Sequence, residues 1–282
     1  ALDITLIPYH GQAEAEDPAV LRAEAKAGTN QFHGYATVSI VHDRRRYELA
    51  LRWVRPHESM VAIVRDLLDR VRRLNIRIRR VYLDKEFYAA AVFRTLDRRH
   101  LAYIVPVPLR IQRKGQPTAL QALCRGRRSY TTTWTIHPKH RPPYPISLVL
   151  LKRNRRPGQK KVVRWFLYAV AGLPVRISPH GVFELYRHRF GIETSYRQLH
   201  QVRARTSSRS ATLRLLFVGL ALILINLYVT LRAVVQTGVG TGTRCRRPWL
   251  SLRRLAFLLG RAIDALFGPP ILIQVRPVEG FS

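Results

Sequence analysis

Residues 76–84 read IRIRRVYLD, and this stretch decides the class of fold. Ile76 and Ile78 alternate with arginines before the apolar run VYL, which is the pattern of a β-strand with one buried face. The run ends at the carboxylate of Asp84, and a helical pattern follows over Tyr88 to Arg98. In α/β sheets, binding and catalytic sites are built at such strand ends.

The elements on either side of this strand predict an α/β fold with a mixed sheet flanked by helices. Before it we expect a strand over Ala1 to Ile7, a connecting loop over 12–30, a hairpin of Phe32 to Val41 and Tyr47 to Val54, and a helix over Ser59 to Leu74. After it we expect strands over Leu101 to Val105, Ile146 to Leu151 and Val162 to Ala171, with an insertion at about 107–145 that contains a strand over Tyr130 to Ile136. An antiparallel start followed by parallel additions fits a ribonuclease-H-like layout, and other mixed sheets fit the same order.

The C-terminal half predicts helices and one boundary. Ser178 and Pro179 start a helix that should run to about Val202. The apolar stretch Leu215 to Leu231 is at the lower limit for a membrane span, and we interpret it as a core helix buried on all sides. We expect a main domain over 1–235, a linker over 236–248 and a helical segment over 249–282, whose helix covers Leu250 to Leu266.

The charge indicates a polyphosphate partner. Lys and Arg total 49 against 17 Asp and Glu, which gives a net charge of +32, and only 7 of the 49 are lysines. Arginine has a planar fork that suits phosphate oxygens, so the balance favours nucleic acid over a membrane surface. A base-composition bias would explain arginine in place of lysine, but it would not explain the shortage of acids.

The cysteines and the N-terminus bear on the compartment. Cys124 and Cys245 lie far apart without C-x-x-C spacing, which argues against a zinc site and a disulfide scaffold and suits a reducing cytoplasm. The first strand begins at once, and from this we expect that an N-terminal region is missing from the chain.

Trp134 lies in a Thr-rich strand of the insertion, where packing is the better interpretation than stacking on an unpaired base.

Two of the 17 acids stand out from the surface charges. Asp3 lies inside an apolar strand and Asp84 at the junction of a strand and a helix. An ionised carboxylate there costs several kcal/mol unless it is paired or binds a metal. The plainer interpretations are a solvated terminal acid for Asp3 and a helix cap for Asp84. If a third acid such as Glu193 joins them, the cluster needs cations, and oxygen-only ligands select Mg²⁺ or Mn²⁺.

Glu193 lies in the stretch YRHRFGIETSYRQLH, residues 186–200. Helical spacing puts the polar side chains on one face; they are Tyr186, Arg189, Glu193, Tyr196 or Arg197, and His200. This stripe would combine a metal ligand with phosphate-binding donors. A solvated face with an Arg189–Glu193 ion pair fits the spacing equally well.

The pattern Tyr186-x₂-Arg189-x₃-Glu193 resembles the Y-x₂-R-x₃-E-x₆-K motif of bacterial and archaeal insertion-sequence DDE transposases. The opening LDITLIPYHG is similar to the first-aspartate strand of that family, and VYLDKEFY to its second. The stretch ARTSSRS is similar to the segment that comes after the glutamate in those transposases. The resemblance covers Ala1 to about residue 230.

The resemblance implies a ribonuclease-H-like catalytic domain that cleaves DNA strands and transfers them in transposition. It makes Asp3, Asp84 and Glu193 the ligands of two Mg²⁺ or Mn²⁺ ions. It makes Tyr186 and Arg189 contacts to DNA, and we add Arg197 and His200 from the same helix face. The expected partner is double-stranded DNA, both transposon ends and target, with a homodimer on the DNA and no membrane. The expected location is the prokaryotic cytoplasm, at the nucleoid.

The sequence departs from the family at two places and leaves other functions open. His200 stands where the family has lysine, which makes that phosphate contact weaker or pH-dependent. Lys85 and Glu86 stand where small residues are frequent, and Glu86 could join the site. A ribonuclease-H-like nuclease or resolvase would use the same three acids, and a non-catalytic DNA-binding relative would keep only the basic surface.

Overall fold

The computed structural model describes residues 1–11, 19–42, 45–109, 118–154, 163–187, 189, 198–238 and 250–268. The strands are β1 Leu2–Pro8, β2 Leu21–Lys26, β3 Thr29–His42, β4 Arg45–Val54, β5 Val81–Tyr82, β6 Tyr103–Pro106, β7 Tyr130–Ile136, β8 Tyr144–Asn154 and β9 Val163–Ala171. The helices are α1 Met60–Arg73, α2 Ala90–Arg98, α3 Ala119–Leu123, α4 Pro179–Arg187, α5 Ala211–Gly238 and α6 Leu252–Phe267. The chain is therefore a mixed α/β protein, as predicted.

The strands form two sheets rather than the single mixed sheet that the element order predicts. In the first sheet β3 is central, with β1 antiparallel on one side and β2 and β4 on the other. The second sheet has the order β5-β6-β9-β8-β7, in which only β5 and β6 are parallel. The pairing of β5 with β6 provides the predicted parallel addition, but β5 is only two residues long.

Two strand predictions were wrong. Residues 21–26 form β2 where we expected a loop; apart from half-buried Leu21 its residues are exposed, so only its backbone pairing to β3 holds it and no hydrophobic pattern reveals it. The expected strand from Ile76 shrinks to Val81–Tyr82. Ile76 and Ile78 still alternate with exposed arginines, but alternation records which side chains are buried and not whether the backbone is paired.

Several other elements match their predictions. The hairpin, β7 and helix α1 are confirmed, and the structure adds that Ser59 is the N-cap of α1. The hydroxyl of Ser178 accepts a hydrogen bond from the Gly181 amide at the start of α4. Trp134 is half-buried and packs against the main core. The predicted middle of the helix beyond Arg187 and the predicted linker from 239 onward lie outside the described residues, and residues 236–238 belong to α5.

Helix α5 was expected to be buried on all sides, and this prediction was wrong. One face packs on the first sheet and on α6; its buried residues are Val218, Ala221, Leu222, Ile225 and Tyr228. The opposite face is apolar and exposed; its residues are Leu216, Leu220, Ile223 and Leu227. In the described part of the chain, Ala211–Val234 is the one helix long and apolar enough to cross a membrane. A single such helix is weak evidence for a span, so the absence of a membrane stays a prediction.

A side-chain amide fixes α5 to the first sheet. The Asn226 Oδ1 accepts a hydrogen bond from the Glu48 amide at 2.9 Å, and its Nδ2 donates to the Glu48 carbonyl at 2.9 Å. Glu48 adjoins the point where the register of β3 and β4 shifts, between Val38 and Ser39. The buried Glu48 carboxylate accepts a hydrogen bond from the Ser39 hydroxyl at 2.7 Å. The amide therefore satisfies backbone groups that the irregular ladder leaves open.

We expect Asn226→Ala to lower the free energy of unfolding by about 1–3 kcal/mol, because it leaves a buried amide and carbonyl without partners. Thr230→Ala, one turn further along α5, removes only a hydrogen bond to the Asn226 carbonyl on an exposed face and should cost under about 0.5 kcal/mol. Urea denaturation of both variants measures the difference. Equal losses would contradict the assigned role of the amide.

Candidate functional site

One guanidinium connects the two aspartates that the sequence singles out. The Nη2 of Arg189 lies 3.2 Å from the Asp3 Oδ1, and its Nη1 lies 3.3 Å from the Asp84 Oδ1. The side chains of Arg189 and Asp3 are 12 % and 13 % exposed, and that of Asp84 is 31 % exposed. Asp3, Asp84 and Arg189 thus form one half-buried ion cluster from three distant parts of the chain.

Asp3 belongs to the middle of β1, opposite Thr37 of β3. It is not the solvated terminal acid of the plainer interpretation. Burial raises the pKa of Asp3 to about 6, against the opposing effects of the Arg189 guanidinium and the hydrogen bond from the Ile4 amide. Asp84 and Glu86 raise it further, so Glu86 is near enough to act on the cluster electrostatically. The main reason that the protonated form of Asp3 is favoured is therefore the removal of its carboxyl group from water.

Asp84 is both a cap and the partner of an arginine. It is the N-cap of a short 3₁₀ turn, Lys85–Phe87, and its Oδ1 accepts a hydrogen bond from the Lys85 amide at 2.6 Å. The same oxygen faces Arg189. The cap holds the carboxylate at the end of β5, where the chain leaves the second sheet, so its direction is fixed before any ligand binds.

Tyr186 positions the guanidinium. Its hydroxyl donates to the Leu83 carbonyl at 3.2 Å and accepts a hydrogen bond from the Arg189 Nη1 at 2.5 Å. The ring is buried in a core between α4 and the second sheet, against Tyr168 at 5.1 Å between ring centroids. Burial raises the pKa of Tyr186 above its ordinary value, so the hydroxyl stays protonated as a donor. The tyrosine thereby ties the end of α4 to the residue before Asp84.

The cluster opens into a cavity of about 660 Å³. The sequence did not single out most of its wall. This wall is formed by the last residue of β6, the residues after it and the middle of β9; these are Pro106, Val107, Pro108, Leu109, Trp165, Phe166, Leu167 and Tyr168. β6 is parallel to β5, so both strands end at the same edge, and β9 is antiparallel to β6 and begins there. The predicted parallel strands were enough to place residues 106–109 at this edge. The contribution of β9 was not predictable, because its pairing with β6 joins residues about sixty positions apart and produces no local sequence pattern.

The structure brings together four of the seven predicted site residues: Asp3, Asp84, Tyr186 and Arg189. Glu193 and Arg197 lie outside the described residues. His200 is exposed and has no described contact with the cluster; burial of its ring and the nearby Arg203 lower its pKa, so it is a poor cation at neutral pH. Arg189 pairs with the two aspartates, which is a contact that neither interpretation of the helix face foresaw.

A family model described as "Transposase DDE domain" matches residues 1–228 of the chain. The chain belongs to the DDE transposase domain family. No curated protein matches it. The matched range covers Asp3, Asp84, Tyr186 and Arg189 as well as Glu193, so the cluster lies within the DDE transposase domain.

A solved structure shares the fold of this DDE transposase domain. It is the cryo-electron-microscopy structure of a piggyBac transposase synaptic complex with hairpin DNA, with a TM-score of 0.60 and 14 % sequence identity. The alignment covers 100 % of this chain and 58 % of the other, so this chain spans little more than half the length of that transposase. At this identity the likeness describes the fold alone.

The family generally uses divalent metal ions, and the cluster fits them in part. Asp3 and Asp84 offer only oxygen atoms, which suit Mg²⁺ or Mn²⁺, and burial raises the pKa of Asp3, so a bound cation would favour its ionised form. Among the described residues no group of three His, Cys, Asp or Glu side chains could hold a metal. The third predicted ligand, Glu193, is outside them.

We expect Arg189→Met to lower the free energy of unfolding by about 2–3 kcal/mol in EDTA, since it leaves two carboxylates facing each other without a cation. Millimolar Mg²⁺ or Mn²⁺ should recover most of the loss. The control is Arg187→Met, which removes a surface ion pair with Glu184 and should cost under about 1 kcal/mol with no dependence on the metal. Thermal denaturation with and without metal measures these losses. A loss of stability in Arg189→Met that metal does not recover would contradict the expectation.

Proposed function

We propose that this chain is the catalytic domain of a DNA transposase that cleaves DNA strands and joins the freed 3′-hydroxyl to target DNA. The observation that carries the proposal is the shared contact of Asp3 and Asp84 with Arg189 at the mouth of a large cavity. Family membership supports transposase function in general. We further propose that the two sheets correspond to a ribonuclease-H-like core with an insertion before the glutamate-bearing helix.

The proposed metal ligands are Asp3, Asp84 and Glu193, holding two Mg²⁺ or Mn²⁺ ions. Ions held there would activate a water or a 3′-hydroxyl and stabilise the leaving oxygen. To hold these ions, the carboxylates must be ionised. The Arg189 guanidinium and the Ile4 amide, which donates to the Asp3 Oδ1 at 2.9 Å, both favour the ionised form of Asp3.

Arg189 and Tyr186 are the proposed DNA contacts of the site. Both residues line the cavity beside Asp3 and Asp84, so the guanidinium fork of Arg189 lies beside the space that a phosphate would enter. Tyr186 fixes the plane of that fork through its hydroxyl. A phosphate oxygen held by Arg189 would place the scissile phosphate beside Asp3 and Asp84. Arg197 and His200 are proposed to extend this contact along the helix.

The partners and location follow from the same proposal. The net charge of +32 supports binding to duplex DNA, both transposon ends and target. We propose that two copies act on two DNA ends, without a membrane, in a prokaryotic cytoplasm at the nucleoid.

The test is nicking of supercoiled plasmid in Mn²⁺, which needs no knowledge of the cognate ends. We expect the wild type to nick, and Asp3→Asn, Asp84→Asn and Glu193→Gln to lose about a thousandfold or more in rate while DNA affinity is retained, because each removes a ligand charge worth several kcal/mol in the transition state. Glu184→Gln is the matched control, since it is an exposed acid on α4 that pairs with Arg187 away from the cluster. It should retain the wild-type rate.

The outcomes separate the competing functions. If none of the three substitutions abolishes nicking, the assignment of the three acids as metal ligands is wrong. Nicking without joining of a labelled 3′-hydroxyl end to plasmid would favour a nuclease or resolvase. Salt-sensitive DNA binding with no nicking in the wild type would favour a non-catalytic relative that keeps only the basic surface.

A further inference from the structure

A basic groove lies at the opposite end of β5 from Asp84. It has a volume of about 550 Å³ and is formed where α1 ends, where α2 ends and where the chain approaches β5. Its charged wall consists of Arg72, Arg77, Arg98 and Arg99, and its floor is apolar, with Leu68, Ile76, Ile78 and Leu101. We name it the distal groove.

The distal groove is separate from the carboxylate cluster. β5 runs from the groove toward Asp84, and six residues lie between Arg77 and Asp84. No described residue lines both the distal groove and the cavity beside Asp3 and Asp84. A ligand held in the groove would therefore leave the carboxylates free.

The arginines of the distal groove carry more charge than the fold itself needs. Arg72, Arg77 and Arg98 are exposed, and none of them forms a salt bridge with a described residue, although Arg72 is near enough to help lower the pKa of Asp69. Arg99 alone is paired, with Asp69 at 2.8 Å. Arginines commonly complement the negative ends of helices, and both α1 and α2 end here.

The helix ends do not account for the surplus. Two helix C-termini contribute about one negative charge together, and Asp69 contributes one more. Four arginines therefore leave a positive surplus of about two charges around a concave surface. The apolar floor gives the arginine stems a surface to lie on, so their guanidinium groups are held at the rim. Several exposed guanidinium groups around one groove are suited to binding phosphates.

We propose that the distal groove binds the sugar-phosphate backbone of double-stranded DNA, independently of base sequence, at a place apart from the cleaved phosphate. This inference rests on the proposed DNA function and adds a second contact surface to it. Arg77 and Arg98 supply the direct phosphate contacts, and Arg99, held by Asp69, lines the groove beside them.

The test compares Arg77→Glu/Arg98→Glu with Arg253→Glu/Arg254→Glu, a pair of exposed arginines on α6 that changes the net charge by the same amount. Affinity for a 30-base-pair duplex is measured in EDTA by fluorescence anisotropy over a range of salt. The groove variant should bind about tenfold or more weakly for every duplex sequence, and its slope of log affinity against log salt should fall by about two. The α6 variant should keep the wild-type slope.

If the two double variants lower DNA affinity equally, the effect is one of net charge and the proposal is overturned. The proposal is also overturned if the groove variant keeps the wild-type slope of log affinity against log salt. Arg77→Gln/Arg98→Gln provides the same comparison with half the charge change if the glutamate variant does not fold. The Mn²⁺ nicking rate at saturating protein should be unchanged in the groove variant, because the carboxylates are untouched. If the wild-type chain does not nick DNA but the groove variant still has the smaller slope of log affinity against log salt, the groove proposal is supported and only the catalytic proposal is contradicted.

Discussion

The contact of Arg189 with Asp3 and Asp84 is the constraint on which the rest of the site depends. Two carboxylates at 3.2 and 3.3 Å from one guanidinium would repel each other without it, and burial already raises the pKa of Asp3 to about 6. Because the three residues come from β1, from the end of β5 and from beyond α4, the contact also fixes how these elements approach one another. It connects two sheets that share no strand pairing among the described residues.

The packing around the cluster explains why the guanidinium stays in place. Tyr186 joins Arg189 to the Leu83 carbonyl, and its ring lies in the core that α4 shares with β8 and β9. On the other side of the cluster, the first sheet is held by α1 on one face and by α5 on the other, with Asn226 fixing the register of α5. The ion cluster is thus held from both sides by apolar cores and needs little side-chain ordering to bind a ligand.

The sequence predicted what depends on local pattern and missed what depends on long-range pairing. Helix α1 and the β3–β4 hairpin followed from periodicity, and Asp3 and Asp84 followed from being acids in apolar strands. β2 was missed because only backbone pairing holds its exposed residues, and the exposed face of α5 because composition does not tell which neighbours a helix has. The bridging role of Arg189 was hidden for a similar reason, since its partners lie more than a hundred residues away in sequence.

The most direct test of the central claim, that Asp3, Asp84 and Glu193 hold divalent metal together, is cleavage of the chain by Fe²⁺ substituted for Mg²⁺. In ascorbate and peroxide, the bound iron generates hydroxyl radicals that cut the nearby backbone, and the fragments are mapped by mass spectrometry. We expect cuts next to residues 3, 84 and 193 that Mg²⁺ suppresses by competition and that Asp84→Asn abolishes. Cuts confined to other positions, or cuts at these positions that Mg²⁺ does not suppress, would contradict the account.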